Sequence, residues 1–279
     1  MLSAPGGEPT TNDALAGSSL LAVFAHPDDE SLASGGLLAL CAERGVWVSL
    51  LCLTRGEHGR GHDSERLGHI RTAELRDAAR VLGIRDLEVL DHEDGMLVWA
   101  DHTGLEADIL GAISRFEPDV IVTFDEDGLY WHPDHIAVHE RTTSVVEGLG
   151  AAGPALLYVS IPAGSMRAIV NGTSSETERD RPPMHILGVA DPDAFGAMAP
   201  APTVVVDVGA FAGRKLAALR CHHTQFEGSA LEQIDERDAA RLLGTEHYRR
   251  APVGSRGHVF VEALGTPVTV EGGTCDSTS

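Results

Sequence analysis

Two short strings hold imidazoles and carboxylates at close spacing: His26-Pro27-Asp28-Asp29 and His132-Pro133-Asp134-His135. Each follows an apolar run, Leu20 to Ala25 for the first and Val120 to Phe124 for the second, of the kind that forms a buried strand. Histidine nitrogen and aspartate oxygen suit Zn2+, and three protein ligands leave a coordination position open for water. His26, Asp29 and His135 form such a set, a two-histidine, one-carboxylate arrangement that also suits Fe2+. Pro27 fixes its own φ and biases His26 toward extended backbone, so the chain turns and positions i and i+3 emerge on one side. Either string alone reads equally well as a cap, with aspartate accepting backbone N–H groups at a helix start. Two matching strings at two strand ends favour the metal reading.

The strings can meet only if their strands are neighbours in one sheet. Strand patterns at Leu20–Ala25, Trp47–Leu53, Leu87–Leu90 and Val120–Phe124 alternate with helical patterns from Ser31 to Glu43, Ser64 to Leu82, Leu105 to Phe116 and Ile136 to Leu149. Such alternation predicts an α/β, Rossmann-like, mostly parallel and doubly wound sheet, whose ligand crevice lies beyond the carboxyl ends of the strands. Further strands are expected at Leu156–Ile161, Thr203–Val208 and His258–Leu264, with a helix from Phe211 to His222. We expect a single domain over 20–266, flanked by flexible tails at 1–19 and 267–279. Between about 169 and 202, Gly, Ser, Pro and charged residues predict a surface loop that could serve as a lid.

The chain has 279 residues and a formal charge of −21, with Lys215 its single lysine. So acidic a chain lacks the cations that displace counterions from a phosphate backbone, which argues against a nucleic-acid partner. No apolar run is long enough to span a bilayer and the start lacks the pattern of a secretion signal, so no membrane partner and a cytoplasmic location are expected. Cys41, Cys52, Cys221 and Cys275 are scattered and read as reduced thiols.

The string Ala25 to Glu30, followed about a hundred residues later by His132-Pro133-Asp134-His135, resembles the LmbE/PIG-L family of zinc-dependent N-acetylglucosaminyl deacetylases, whose sugar-specific members include enzymes of mycothiol metabolism. Thr54-Arg55-Gly56-Glu57, the helix start Arg71 to Leu75, Asp94-Gly95, and Lys215 through His223-Thr224-Gln225 extend the likeness over roughly 20–226. The resemblance implies that His26, Asp29 and His135 bind Zn2+, that Asp28 is the general base, and that His132 stabilises the oxyanion or protonates the departing amine. The implied reaction removes an N-acetyl group from an N-acetylglucosamine-type glycoside by attack of metal-bound water. Arg71, Asp94 and, more weakly, Glu57 match substrate-contacting positions; Arg71 could instead pair with Glu74 or Glu57. Asp134 is expected to orient a histidine, Glu30 to serve as a helix-start charge or supporting partner, and His222 to cap its helix. The alternatives are an amidase acting on a larger glucosamine conjugate and a non-catalytic sugar-binding protein on the same scaffold.

Overall fold

A computed structural model describes residues 15–60, 64–173, 185–254, 257–264 and 266–267. Its sheet has eight strands: β1 (Ser19–Phe24), β2 (Trp47–Thr54), β3 (Asp86–His92), β4 (Val120–Phe124), β5 (Ala155–Ser160), β6 (Val204–Asp207), β7 (Thr245–Arg250) and β8 (Thr266–Pro267). They lie in the order β3-β2-β1-β4-β5-β7-β6-β8. The first five run parallel, while β7 pairs antiparallel with both β5 and β6. The order reverses between β1 and β4, the switch point at which a doubly wound sheet opens its crevice. The strands that carry the two histidine strings are therefore adjacent, with Leu20 opposite Val120.

Both strands are apolar because both faces of the sheet are covered. On one face lie α1 (Asp29–Glu43), α2 (Ser64–Leu82) and α7 (Ala212–Cys221), packed against each other; α3 (His102–Phe116) and α5 (Pro133–Leu149) pack together elsewhere on the sheet. Phe24 and Phe124 meet edge to face at 5.0 Å between the two site-bearing strands. Helix α1 is buried on nearly every side and breaks its geometry at Ser34, φ −143°. There Glu246 of β7 accepts hydrogen bonds from the N–H groups of Gly36 and Leu37, at 2.9 and 2.8 Å, and so caps the second half of the helix. A side chain at Gly36 would meet Val208 at 2.5 Å, which explains glycine at the kink.

Three expectations need correction. His258–Leu264, expected as a strand, is helix α10; Phe260, Val261 and Leu264 share one buried helical face while Val259 is exposed. The segment expected as a loop from about 169 begins as helix, because α6 (Ser165–Thr173) continues to Thr173 and buries Ile169. Packing also starts before residue 20: Leu15 is fully buried, and Ser19 already pairs with Trp47. Residues 1–14, 174–184 and 268–279, which held much of the expected tails and loop, lie outside the described residues. Among the described residues no helix is long and apolar enough to cross a membrane, and Cys41, Cys52 and Cys221 are unpaired.

Candidate active site

Three side chains converge where β1 and β4 end. His26 Nδ1 lies 3.2 Å from His135 Nε2 and 3.3 Å from Asp29 Oδ2, and His135 Nε2 lies 3.2 Å from Asp29 Oδ1. The opposite nitrogen of each imidazole is already engaged. His26 Nε2 faces the carboxylates of Asp94, at 3.1 Å, and Asp134, at 3.2 Å, while His135 Nδ1 faces the carbonyl of Gly128 at 3.1 Å. These acceptors hold a proton on His26 Nε2 and on His135 Nδ1, which leaves lone pairs on the two nitrogens that face each other and Asp29. Lone pairs at such distances repel unless a proton or a metal ion sits among them. The separations are also close to the edge of a tetrahedron built on bonds of about 2.0–2.1 Å, so the donor set fits a divalent ion. Burial disfavours charge on His26, but Asp134, Asp29 and Asp94 outweigh it and push its pKa well above the ordinary value. His132 also brings a nitrogen within 4.8 Å of His26 and His135. Its Nδ1, however, accepts the N–H of Asp134 at 3.2 Å as the N-cap of α5, and we favour Asp29 as the third ligand on distance.

Asp28 stands beside this cluster and outside it. Its backbone is left-handed, φ 114°, and its side chain lines the cavity. Arg71 of α2 donates to Gly56 O (2.7 Å), Pro27 O (2.6 Å) and Asp28 Oδ2 (3.2 Å), so it pairs with neither Glu74 nor Glu57. Burial raises the Asp28 carboxyl to about 7 in spite of the Arg71 cation. For His132, burial and then the neighbouring His135 and His26 lower the pKa to about 3, so the ring is neutral.

Residues 21–146 match the family model described as PIG-L, GlcNAc-PI de-N-acetylase. A 1D-myo-inositol 2-acetamido-2-deoxy-alpha-D-glucopyranoside deacetylase of Acidothermus cellulolyticus is 30% identical, with 82% of this chain and 87% of the relative covered. The chain belongs to the PIG-L/LmbE family. Among solved structures, the N,N'-diacetylchitobiose deacetylase of Pyrococcus horikoshii has a TM-score of 0.61 at 19% identity, covering 84% of each chain. A 4-carboxy-2-hydroxymuconate hydratase of Pseudomonas putida has a TM-score of 0.58 at 18% identity, covering 84% of this chain and 96% of its own. At such identities the likeness shows the fold alone, and the chemistry has to be argued from the site.

In this PIG-L/LmbE member the cluster opens into a cavity of about 270 Å³. Its floor is polar, with His26, Asp28, Asp29, Arg71, Asp94 and His132; Leu32, Ile186, Leu187, Val189 and Phe195 make an apolar wall. Glu57, expected against the substrate, does not line it. Its Oε1 is spent on the N–H of Asp94 at 2.9 Å, and Asp94 in turn accepts the N–H of His58 at 2.9 Å. Asp134, fully buried, accepts the N–H groups of Gly95 (2.7 Å) and Leu97 (3.0 Å) and so ties the Asp94 turn to the imidazole of His26. His222 is more than a cap: it is fully buried, and its Nε2 meets Glu30 at 2.8 Å.

Sequence reasoning missed Tyr130. It lines the cavity and sets its ring edge-on to both His132 and His135, and burial followed by Asp29 and Asp28 raises its hydroxyl pKa. An aromatic two residues before the second string was the available signal. The left-handed backbone at Leu129 and Trp131, which turns the ring inward, has no sequence signature.

Proposed function

We propose that this protein is a zinc-dependent hydrolase that removes the acetyl group from the amine of an N-acetylglucosamine-type glycoside. His26, Asp29 and His135 hold the ion in this reading. The observation that carries it is the convergence of His26 Nδ1, His135 Nε2 and the two Asp29 oxygens at 3.2–3.3 Å, beside a buried carboxylate, Asp28, that is not among them. When bound, the ion would supply Lewis acidity and lower the pKa of a water to about 7.

The remaining steps belong to the chain. Asp28 takes a proton from the attacking water at its carboxylate oxygen and passes it to the amine nitrogen as the C–N bond breaks, so amide and water become amine and acetate. Arg71 fixes that carboxylate and the turn carrying it. His132 accepts a backbone N–H at Nδ1, so its neutral ring carries the proton on Nε2. That N–H is the donor for the oxygen that gains charge at the acyl carbon, rather than the acid for the leaving amine. Asp94, which lines the cavity, accepts from a sugar hydroxyl. The named relatives support a small glycoside as substrate. The unpaired Cys41, Cys52 and Cys221 among the described residues support a cytoplasmic site of action.

The test is free-amine release by the Zn2+-loaded protein from N-acetylglucosaminyl glycosides with small and bulky aglycones. Release from at least one is the expected result. A protein carrying stoichiometric Zn2+ that releases amine from none would overturn the proposal.

A further inference from the structure

We infer that Glu30 and His222 form a positioning pair that holds Asp28 in its left-handed turn, an assignment that rests on the catalytic role proposed for Asp28. At φ 114°, Asp28 occupies a region that residues with a side chain avoid, and such a conformation persists only where neighbours over-determine it. On one side Arg71 grips Pro27 O at 2.6 Å. On the other, the N–H of Asp28 donates to Glu30 Oε2 at 3.1 Å. The peptide before Asp28 is thus held through its carbonyl by a cation and through its N–H by an anion.

Glu30 must itself be held, because it is 1% exposed and a carboxylate so buried requires partners. Its Oε1 accepts from Ser31 Oγ and from His222 Nε2, the latter at 2.8 Å. His222 comes from the end of α7, far away in sequence, and is fully buried. Its other nitrogen, Nδ1, has no hydrogen-bond partner among the described residues. A buried ring that leaves one nitrogen unsatisfied is a poor device for stability, and its bonds go to Glu30 and Ser31. The ring is fixed from behind, since the N–H and Oγ1 of Thr224 bond Glu74 of α2 at 2.9 and 2.7 Å. The string His222-His223-Thr224 therefore ties α2 and α7 to the turn that carries Asp28.

The pair acts mainly through geometry, since the charge of His222 influences the Asp28 carboxyl less than burial, Arg71 or Asp29 do. Glutamine at position 30 keeps an acceptor for the N–H of Asp28, and its amide can donate to His222 Nε2 once the imidazole proton moves to Nδ1. The experiment combines amide hydrogen exchange at Asp28 with steady-state deacetylation kinetics, on metal-loaded wild type, Glu30→Ala, Glu30→Gln and His222→Gln, each checked for metal content and thermal melting. In Glu30→Ala, exchange at Asp28 should rise about tenfold, the factor a lost hydrogen bond commands. In the same variant kcat should fall about 100-fold, as for a displaced catalytic group, with KM and metal content held. His222→Gln should move both readouts the same way, and Glu30→Gln should stay near wild type in both. Should Glu30→Ala fail to fold, His222→Gln and Glu30→Gln decide. Wild-type exchange and kcat in His222→Gln, or Glu30→Gln as impaired as a folded Glu30→Ala or as His222→Gln, overturns the inference; so does turnover lost only in step with metal. A wild type that releases no amine refutes the proposed function instead, and the exchange result still judges the pair.

Discussion

Replacing Arg71 by alanine removes one guanidinium and strands three oxygens. Gly56 O, Pro27 O and Asp28 Oδ2 lose donors at 2.7, 2.6 and 3.2 Å, at a site where the arginine is 5% exposed. Breaking a buried pair by deleting one partner costs about 3–5 kcal/mol, and a stranded carbonyl about 1–3 kcal/mol. These costs overlap, because the vacated space opens onto the cavity and water can reach the oxygens. We therefore expect about 3–5 kcal/mol in total, a large share of the roughly 5–15 kcal/mol that holds a domain folded. Equilibrium urea unfolding at a common m-value reads the loss. The pH dependence has a sign. Asp28 is raised to about 7, above its ordinary value of 3.8, so the folded protein binds its proton more tightly and loses stability as pH rises through that window. Arg71 lowers the Asp28 pKa, so the variant retains the proton to still higher pH, and its deficit should be larger at about pH 8 than at about pH 6. A deficit below about 1 kcal/mol, or one that shrinks as pH rises, would refute the account of Arg71 as the clamp on this turn.

Asp28→Asn should keep its metal and lose about 10²- to 10⁴-fold in turnover, whereas His26→Ala should lose both; inductively coupled plasma analysis beside amine release separates them. Glu246 accepts from Gly36 N, Leu37 N, Lys215 Nζ and Tyr248 Oη, all within 2.9 Å, so Glu246→Ala should cost about 3–5 kcal/mol in denaturant midpoints. Lys215→Met leaves that carboxylate three donors and should cost about 1–3 kcal/mol; equal losses would argue against Glu246 as the helix cap. Gly36→Ala should lower the melting temperature, since its Cβ would stand 2.5 Å from Val208 Cγ2, and a pair with Val208→Ala should recover part of the loss in a double-mutant cycle.

The sheet's parallel half was legible because a strand covered on both faces must be apolar throughout, and β1 and β4 are. β7 was not. Its Thr-Glu-His-Tyr-Arg-Arg run reads as surface, yet Glu246 and Tyr248 face inward and satisfy each other at 2.8 Å, a compensation that only tertiary structure supplies. α10 failed for the opposite reason: His258-Val259-Phe260-Val261 has strand propensity, and too few residues follow for a helical period to declare itself. Within the site, the residue types and their spacing pointed to the cluster. Of the partners that set the imidazole tautomers, Asp134 was expected to orient a histidine and lies 3.2 Å from His26 Nε2, whereas the backbone carbonyl of Gly128 and the approach of the Asp94 turn left no mark in the residue pattern.

The two strings are nearly the same in sequence and differ in what their third residue does. In His132-Pro133-Asp134-His135, proline starts a right-handed helix, so Asp134 folds back into the protein and is consumed by the N–H groups of Gly95 and Leu97. In His26-Pro27-Asp28-Asp29, the third residue takes φ 114° before the helix begins, and its carboxylate swings into the cavity instead. Both strings thereby send their fourth residue to the cluster proposed to hold the metal, Asp29 from one and His135 from the other. Only the first leaves a carboxylate facing the cavity beside it. One backbone angle therefore separates a proposed general base from a structural anchor, and it explains why Pro27, Asp28 and Glu30 are gripped from both sides while Asp134 is held through its own side chain. A substitution that relaxed the left-handed turn would convert the first string into a copy of the second, with the metal ligands kept and the base withdrawn.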